Sequence, residues 1–321
     1  MKCLYCGKTI NENASEHEKT HSWHAACIKK FFGTDDMPVI DISKDKLEEL
    51  ANETINKGIT VPGVQKKLSL HLSTDAEARL TIVDYPSGYI LKPQTEEYEM
   101  LPEFENLAMR MADMSGIDTV DNALIKNNDA YAYITKRTDR YTDETGMTHM
   151  YAMEDFCQLS ERLTMDKYKG SYEKCAKIIR EYSSSASDDI AEMFRRIVFS
   201  FITGNSDMHL KNFSLIGSSP GNRKYNLSPA YDMLPVNIVL PEDNEQMALT
   251  MNGKKSRFKK KDFMIFAEKC SIPESEAEKI IGELCSFKQD FMHACDESYL
   301  SDDLKEQTKK LISERIEILE H

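Results

Sequence analysis

No stretch of this sequence approaches the ~18 consecutive apolar residues that span a bilayer; the longest candidate is residues 197–202. No membrane partner is expected. The first residues, Met1 to Cys6, carry no apolar signal region, so a cytoplasmic protein is expected. Positive charge is also short, 41 Lys and Arg against 54 Asp and Glu, for a formal charge of −13. Nucleic-acid phosphates are held by clustered cations, and direct nucleic-acid binding is not expected. The one basic run, Lys254-Lys255 followed by residues 257–261, reads as a solvated loop beside a phosphate-bearing cleft. Neither G-x-G-x-x-G nor a Walker A sequence occurs: Gly58 and Gly63 have the Walker spacing, but Val64 stands where its lysine belongs. That excludes a P-loop ATPase. No internal repeat is visible. Cys157, Cys175, Cys270, Cys285 and Cys295 are scattered singly, which argues against a disulfide framework and for small core residues.

The other three cysteines are arranged. Cys3 and Cys6 are separated by two residues, and His24 and Cys27 repeat that spacing after seventeen more. A CxxC turn sets two thiolates on one side of a metal, and HxxC closes a tetrahedron with an imidazole and a third thiolate. Four protein ligands leave no place for water, so a structural Zn²⁺ is expected, supplying much of the folding free energy of a segment too short for a core. His21 competes with His24, and His17 is a weaker rival. Trp23, the single tryptophan, is expected to pack on the metal-bearing turn.

At 321 residues the chain is long enough for two or three units. The expected organisation is a zinc-knuckle segment over 1–32, a linker and helix over 33–57, a β-rich lobe over 58–152 and a helical lobe over 153–321. The linker helix would be capped by Ser43, carry Leu47, Leu50, Ala51 and Ile55 on one face, and end near Gly58. Leu68, Leu70 and Leu72 alternate with polar residues, and further strands are expected at 80–83, 88–92, 123–126 and 130–137. Between them a helix from about Pro102 places Phe104, Leu107, Ala108, Met111 and Ala112 on one face. Helices are expected around 154–162, 172–183, 188–204, 261–269, 273–296 and 302–319. A β-rich part followed by a helical part is an α+β architecture, here that of a two-lobed kinase-like fold.

The chemistry concentrates in Asp207-Met208-His209-Leu210-Lys211-Asn212, followed about twenty residues later by Asp232. Metal-dependent phosphoryl transfer uses that order: a carboxylate that orients and deprotonates the acceptor hydroxyl, an amide on one Mg²⁺, and a later carboxylate on Mg²⁺ bridging the ATP phosphates. Lys211 is placed to neutralise the transferring phosphate, with His209 beside it. Lys92, ending the strand Tyr89-Ile90-Leu91, fits the cation that holds the α and β phosphates, and Glu105, or else Glu103, fits the helix carboxylate that pairs with it. Residues 58–67 offer backbone N–H groups and two lysines to phosphates, or simply connect a helix to a strand. Glu154 to Phe156 fits either a hinge whose backbone pairs with adenine or a helix start with acidic first-turn residues.

The segments ITVPGVQKKLSL, YILKP, LPEFENLAMRMA, YITKRTDR, MEDFCQL, KYKGSYE, GNSDMHLKNFSL and SPAYDMLP resemble the successive motifs of HipA-type serine/threonine kinases, the toxins of bacterial toxin–antitoxin modules. The resemblance runs from about residue 31 to beyond 234. It implies Asp207 as catalytic base, Asn212 and Asp232 as Mg²⁺ ligands, Lys92 as phosphate lysine and Thr60, Val61, Gly63, Val64 and Gln65 as the phosphate loop. It also implies control by autophosphorylation, for which Thr60 occupies the candidate position; a charge of up to about −2 there would eject the loop from beside ATP. Relatives carry a β-rich N-terminal subdomain that this sequence replaces with the knuckle and linker, as in split systems where that subdomain is a separate small protein acting with a helix-turn-helix DNA-binding antitoxin. Aminoacyl-tRNA synthetases are the implied substrate class. The rival expectation is a catalytically inactive, zinc-bearing kinase-fold regulator that binds an antitoxin or DNA-binding partner.

Overall fold

Period-two alternation early in the chain and helical periods later on dictate two kinds of structure. The computed structural model describes residues 1–40, 67–73, 78–82, 88–127, 130–143 and 147–321. These form two units, Met1–Asn106 with Val120–Met150, and Leu107–Thr119 with Tyr151–His321. The helix expected over 43–57 and the loop residues 58–66, with Thr60, Val61, Gly63, Val64 and Gln65, lie outside the described residues.

The first unit opens with α1 (Glu16–His21), which starts at a capping box: the Ser15 hydroxyl accepts from the Glu18 N–H, and the Glu18 carboxylate accepts from the Ser15 N–H. α2 (Ala25–Phe32) buries Ile28, Phe31 and Phe32. Six strands follow, β1 (Val39–Ile40), β2 (Leu68–Ser73), β3 (Arg79–Ile82), β4 (Tyr89–Pro93), and, after α3 (Leu101–Met114), β5 (Asn122–Asn127) and β6 (Ala130–Lys136). They make one sheet in the order β1-β3-β2-β4-β6-β5, antiparallel except where β1 lies beside β3. The alternation sets its buried face: Leu68, Leu70, Tyr89 and Leu91 are all buried. On α3 the five residues expected to share a face, Phe104, Leu107, Ala108, Met111 and Ala112, are likewise buried. A hairpin of β7 (Arg140–Thr142) and β8 (Thr148–Met150) follows.

An edge strand presents unpaired N–H and C=O groups that a fold must cover. β5 is such an edge, and the N-terminal segment covers it: the Leu124 N–H donates to the Leu4 carbonyl at 3.1 Å, and the Leu124 carbonyl accepts from Trp23 Nε1 at 3.1 Å. Lys126 Nζ adds a bond to the Thr20 carbonyl at 2.8 Å.

The second unit contains β9 (Met153–Asp155), α4 (Phe156–Leu159), α5 (Tyr172–Tyr182), α6 (Ala186–Thr203), β10 (Ser214–Gly217), β11 (Tyr225–Leu227), α7 (Val236–Val239), α8 (Lys260–Lys269), α9 (Glu274–Ser286), α10 (Lys288–Asp296) and α11 (Asp302–Glu320). The strands form a small antiparallel sheet, β11-β10-β9. α6 is its central helix, buried at every position from Arg196 to Thr203 and packed by α5, α9 and α11. Two expected helices differ. The one at 154–162 begins as strand β9 and is helical only over Phe156–Leu159, because the Asp155 carboxylate caps the Gln158 N–H and fixes the start one residue later. The one at 273–296 is two helices, since Phe287 (φ −76°, ψ 5°) leaves the helical region and ends α9. No described helix is long and apolar enough to cross a membrane.

Candidate active site

α6 ends at Gly204, whose φ of 74° lies in the left-handed region that glycine adopts without penalty. A Cβ there would also sit 2.5 Å from Leu311 Cδ2 of α11. The loop that follows folds back in a 3-10 turn over Leu210–Asn212, where Asn212 Oδ1 accepts the His209 N–H at 3.1 Å. His209 and Asn212 are buried, whereas the Asp207 side chain is 44% exposed. Tyr168 donates its hydroxyl to Asp207 Oδ1 at 2.7 Å, and His209 Nε2 stands 4.0 Å from Asp207 Oδ2.

Asp232 is brought to this loop by Asn212, whose Nδ2 lies 3.5 Å from the Asp232 carbonyl. The neighbouring Tyr231 hydroxyl donates to the Lys211 carbonyl at 3.0 Å and accepts from Ser214 Oγ at 2.6 Å. Asp232 itself has φ 61°, a left-handed conformation that costs a non-glycine residue roughly 1 kcal/mol. The amide oxygen of Asn212 and the Asp232 carboxylate are hard oxygen donors of the type magnesium takes, so the residues fit that ion.

Lys211, the expected neutraliser of the transferring phosphate, has its Nζ 2.6 Å from Asp155 Oδ2. The 154–156 stretch takes the helix-start form. The Asp155 N–H donates to Gln158 Oε1 at 3.0 Å and the Phe156 N–H to the Phe213 carbonyl at 2.9 Å. The Phe156 ring is buried against Phe213, and Glu154 is an exposed residue paired with Leu215 in the small sheet. Within the 154–156 stretch, the Asp155 and Phe156 N–H groups are thus engaged inside the unit.

In the first unit Lys92 ends β4 and pairs with Glu105 of α3 at 2.5 Å, with the two side chains 4% and 1% exposed. Lys92 Nζ also lies over the Tyr133 ring, 5.3 Å from its centroid. Breaking so buried a pair costs about 3–5 kcal/mol, so both charges are strongly held. Glu103, the other candidate, points elsewhere, and its Oε2 has no partner among the described residues. Burial pushes its carboxyl up to about 7 from 4.5. Between those values the folded chain keeps a proton that the unfolded chain has released, so stability falls as pH rises through that window. Glu103→Gln should remove that slope. In denaturant titrations the variant should match the wild type near pH 4.5 and exceed it by about 3 kcal/mol at pH 8.

At the N-terminus the ligand atoms of Cys3, Cys6, His24 and Cys27 lie within 4.8 Å of one another. His24 Nδ1 is 3.4 Å from Cys6 Sγ and 3.7 Å from Cys27 Sγ, close to the ~3.6 Å that separates sulfur from nitrogen across a tetrahedral zinc. His24 Nε2 bonds the Thr9 carbonyl at 3.3 Å, which leaves Nδ1 as the metal-facing nitrogen. Three thiols and an imidazole fit zinc. His21, the competing ligand, instead lies against His17, ring centroids 4.6 Å apart. Trp23 is fully buried and stacks on Tyr5 of the Cys3–Cys6 turn at 5.5 Å.

Sequence reasoning assigned no role to Tyr168 or Tyr231, the residues that grip Asp207 and the backbone at Lys211. Tyr231 adjoins Asp232, but Tyr168 is 39 residues from Asp207, a distance no local pattern spans.

Residues 59–291 match the model of a family described as HipA-like C-terminal domain. The chain is 27% identical over 269 residues to a kinase candidate of Haemophilus influenzae, covering 76% of this chain and 77% of that protein. It is 32% identical over 231 residues to the kinase candidate Y4dM of Sinorhizobium fredii, covering 67% of this chain but only 54% of that protein. Among solved structures it is similar to the HipA chain of the HipA, HipB and operator DNA complex of Shewanella oneidensis MR-1, with TM-score 0.69, 18% identity, and 85% and 70% of the two chains covered. The Helicobacter pylori proinflammatory kinase CtkA is also similar, with TM-score 0.53, 15% identity, and 78% and 92% covered. The α+β fold is that of these kinases.

Proposed function

We propose, since the chain belongs to the HipA-like C-terminal domain family, that it is an ATP- and magnesium-dependent protein serine/threonine kinase and the toxin of a toxin–antitoxin system. The observation that carries this reading is the junction of Asn212 and the strained Asp232 on the loop that presents Asp207. Magnesium there would supply positive charge to offset that of the ATP phosphates. Asn212 and Asp232 would supply its oxygen ligands, and Lys92, held by Glu105, the cation for the α and β phosphates. Asp207 would orient the acceptor hydroxyl and take its proton. His209, buried beside Asp207, and Lys211, paired with Asp155, would shape the loop. Thr60, in the segment of Val61, Gly63, Val64 and Gln65 assigned to the phosphates, is the autophosphorylation candidate. The substrate class is a translation component such as an aminoacyl-tRNA synthetase, and the partners are antitoxin proteins, one of helix-turn-helix type. Zinc on Cys3, Cys6, His24 and Cys27 would be structural, since four protein ligands close its coordination.

Calorimetry with ATP in the presence and absence of Mg²⁺, followed by intact-mass measurement, tests the reading. Magnesium-dependent binding and the gain of a phosphoryl mass are expected. Binding without transfer would favour a kinase-shaped regulator, and no binding would overturn both.

A further inference from the structure

Asp207 sits on a loop with its side chain 44% exposed, so close packing does not fix its rotamer. A general base is useful only when its oxygen is held within hydrogen-bond reach of the acceptor proton, and misplacement by ~1 Å can cost about 100-fold in rate. Something other than burial must hold it. The structure supplies a brace from a segment remote in sequence, residues 163–170 between α4 and α5.

The segment is fastened to the Asp207 loop at three successive points. The Lys167 carbonyl accepts the Leu210 N–H at 3.2 Å. The Tyr168 hydroxyl donates to Asp207 Oδ1 at 2.7 Å. The Tyr168 ring meets the buried His209 edge-on, centroids 5.1 Å apart. The segment is itself locked by a 3-10 turn over Thr164–Asp166 and by the bond from the Lys169 N–H to the Asp166 carbonyl at 2.8 Å, and Lys167 Nζ lies 4.9 Å from the centroid of the Tyr168 ring. A tyrosine suits this task because it has few rotatable bonds and carries its donor at the end of a rigid ring. Tyr168 is 43% exposed as a residue, and partial desolvation together with the negative charge of Asp207, Asp243 and Asp232 raises its phenol, so the hydroxyl stays a donor.

We infer that Tyr168 is a positioning residue for the phosphoryl-transfer reaction, fixing the Asp207 carboxylate through its hydroxyl while making no contribution to nucleotide binding. This rests on the kinase reading above. The phenol is not itself an acceptor in this scheme, and no bond to it is made or broken.

The test is a double-mutant cycle read as the rate of phosphate transfer from labelled ATP with Mg²⁺, to the chain itself and to dephosphorylated casein. Tyr168→Phe deletes one oxygen and keeps the ring. In the otherwise native chain it should slow transfer roughly 10- to 100-fold, with KM for ATP and thermal midpoint unchanged. On an Asp207→Asn background the same substitution should change the residual rate less than about twofold, because its effect runs through the carboxylate. Native rates in Tyr168→Phe, or an equal loss in both backgrounds, overturn the inference while leaving the kinase reading intact. So does phosphate mapped onto Tyr168 in the unsubstituted chain. Absence of transfer by the unsubstituted chain overturns the kinase reading, and the inference with it.

Discussion

Replacing Asp207 by Asn should slow phosphate transfer roughly 10²- to 10⁴-fold, the range a positioned general base contributes, and leave the fold untouched. The side chain is 44% exposed, and changes at such positions usually stay within about 0.5 kcal/mol of neutral. The amide keeps the shape and can still accept a hydrogen bond from Tyr168, so only the basic oxygen is lost. Asp232 provides the companion measurement. Its φ of 61° is one that asparagine tolerates and alanine does not, which makes Asp232→Asn the clean variant. It should abolish magnesium-dependent ATP binding in calorimetry with no loss of thermal stability, whereas Asp232→Ala would mix metal loss with backbone strain. Transfer at native rates in both asparagine variants would remove the basis for assigning this loop to catalysis.

The second large effect lies at the other end of the chain. Stripping zinc with a chelator, or substituting Cys6→Ser, should release the segment that covers β5 and lower the thermal midpoint by on the order of 10 °C. Trp23 makes this visible directly. It is the only tryptophan in the sequence, it is fully buried, and it stacks on Tyr5 of the Cys3–Cys6 turn. Its emission should shift to the red as zinc leaves, with one equivalent of metal released to a colorimetric chelator. Purified protein without zinc, or unchanged emission on chelation, would show that the thiol cluster stands without metal.

Much of this was legible because it follows local periods. The alternation of Leu68 and Leu70 and the single face of Phe104, Leu107, Ala108, Met111 and Ala112 are geometric consequences of strand and helix, and the doubled xxC spacing is a property of metal-binding turns. Choices between neighbours were not legible. Glu103 and Glu105 lie two apart on one helix, and only tertiary placement shows that Glu105 meets Lys92 while Glu103 Oε2 is buried with no partner among the described residues. Of the two histidines near Cys27, the one preceding α2 reaches the thiols and the one ending α1 does not, a matter of where each helix starts. The pairing of Lys211 with Asp155, 56 residues away, follows from no local spacing. The break at Phe287 is a backbone excursion at a residue with no breaker chemistry, and nothing in its identity announces it. Tyr168 shows the same limit at the site, since its partner is chosen by chain crossing.

The glycine that ends α6 connects two parts of the chain that similarity treats differently. The match to the family model stops at residue 291, yet Gly204, at the head of the Asp207 loop, is packed by Leu311 of α11. One turn further along α11, Arg315 lies over the Phe201 ring at 4.6 Å and donates to Asn237 Oδ1 at 3.2 Å. The floor beneath the Asp207 loop is thus laid in part by sequence beyond the family-model match. The end of the family-model match is not where the domain ends, and a fragment trimmed to residue 291 would keep every named site residue while losing the surface on which the Asp207 loop rests.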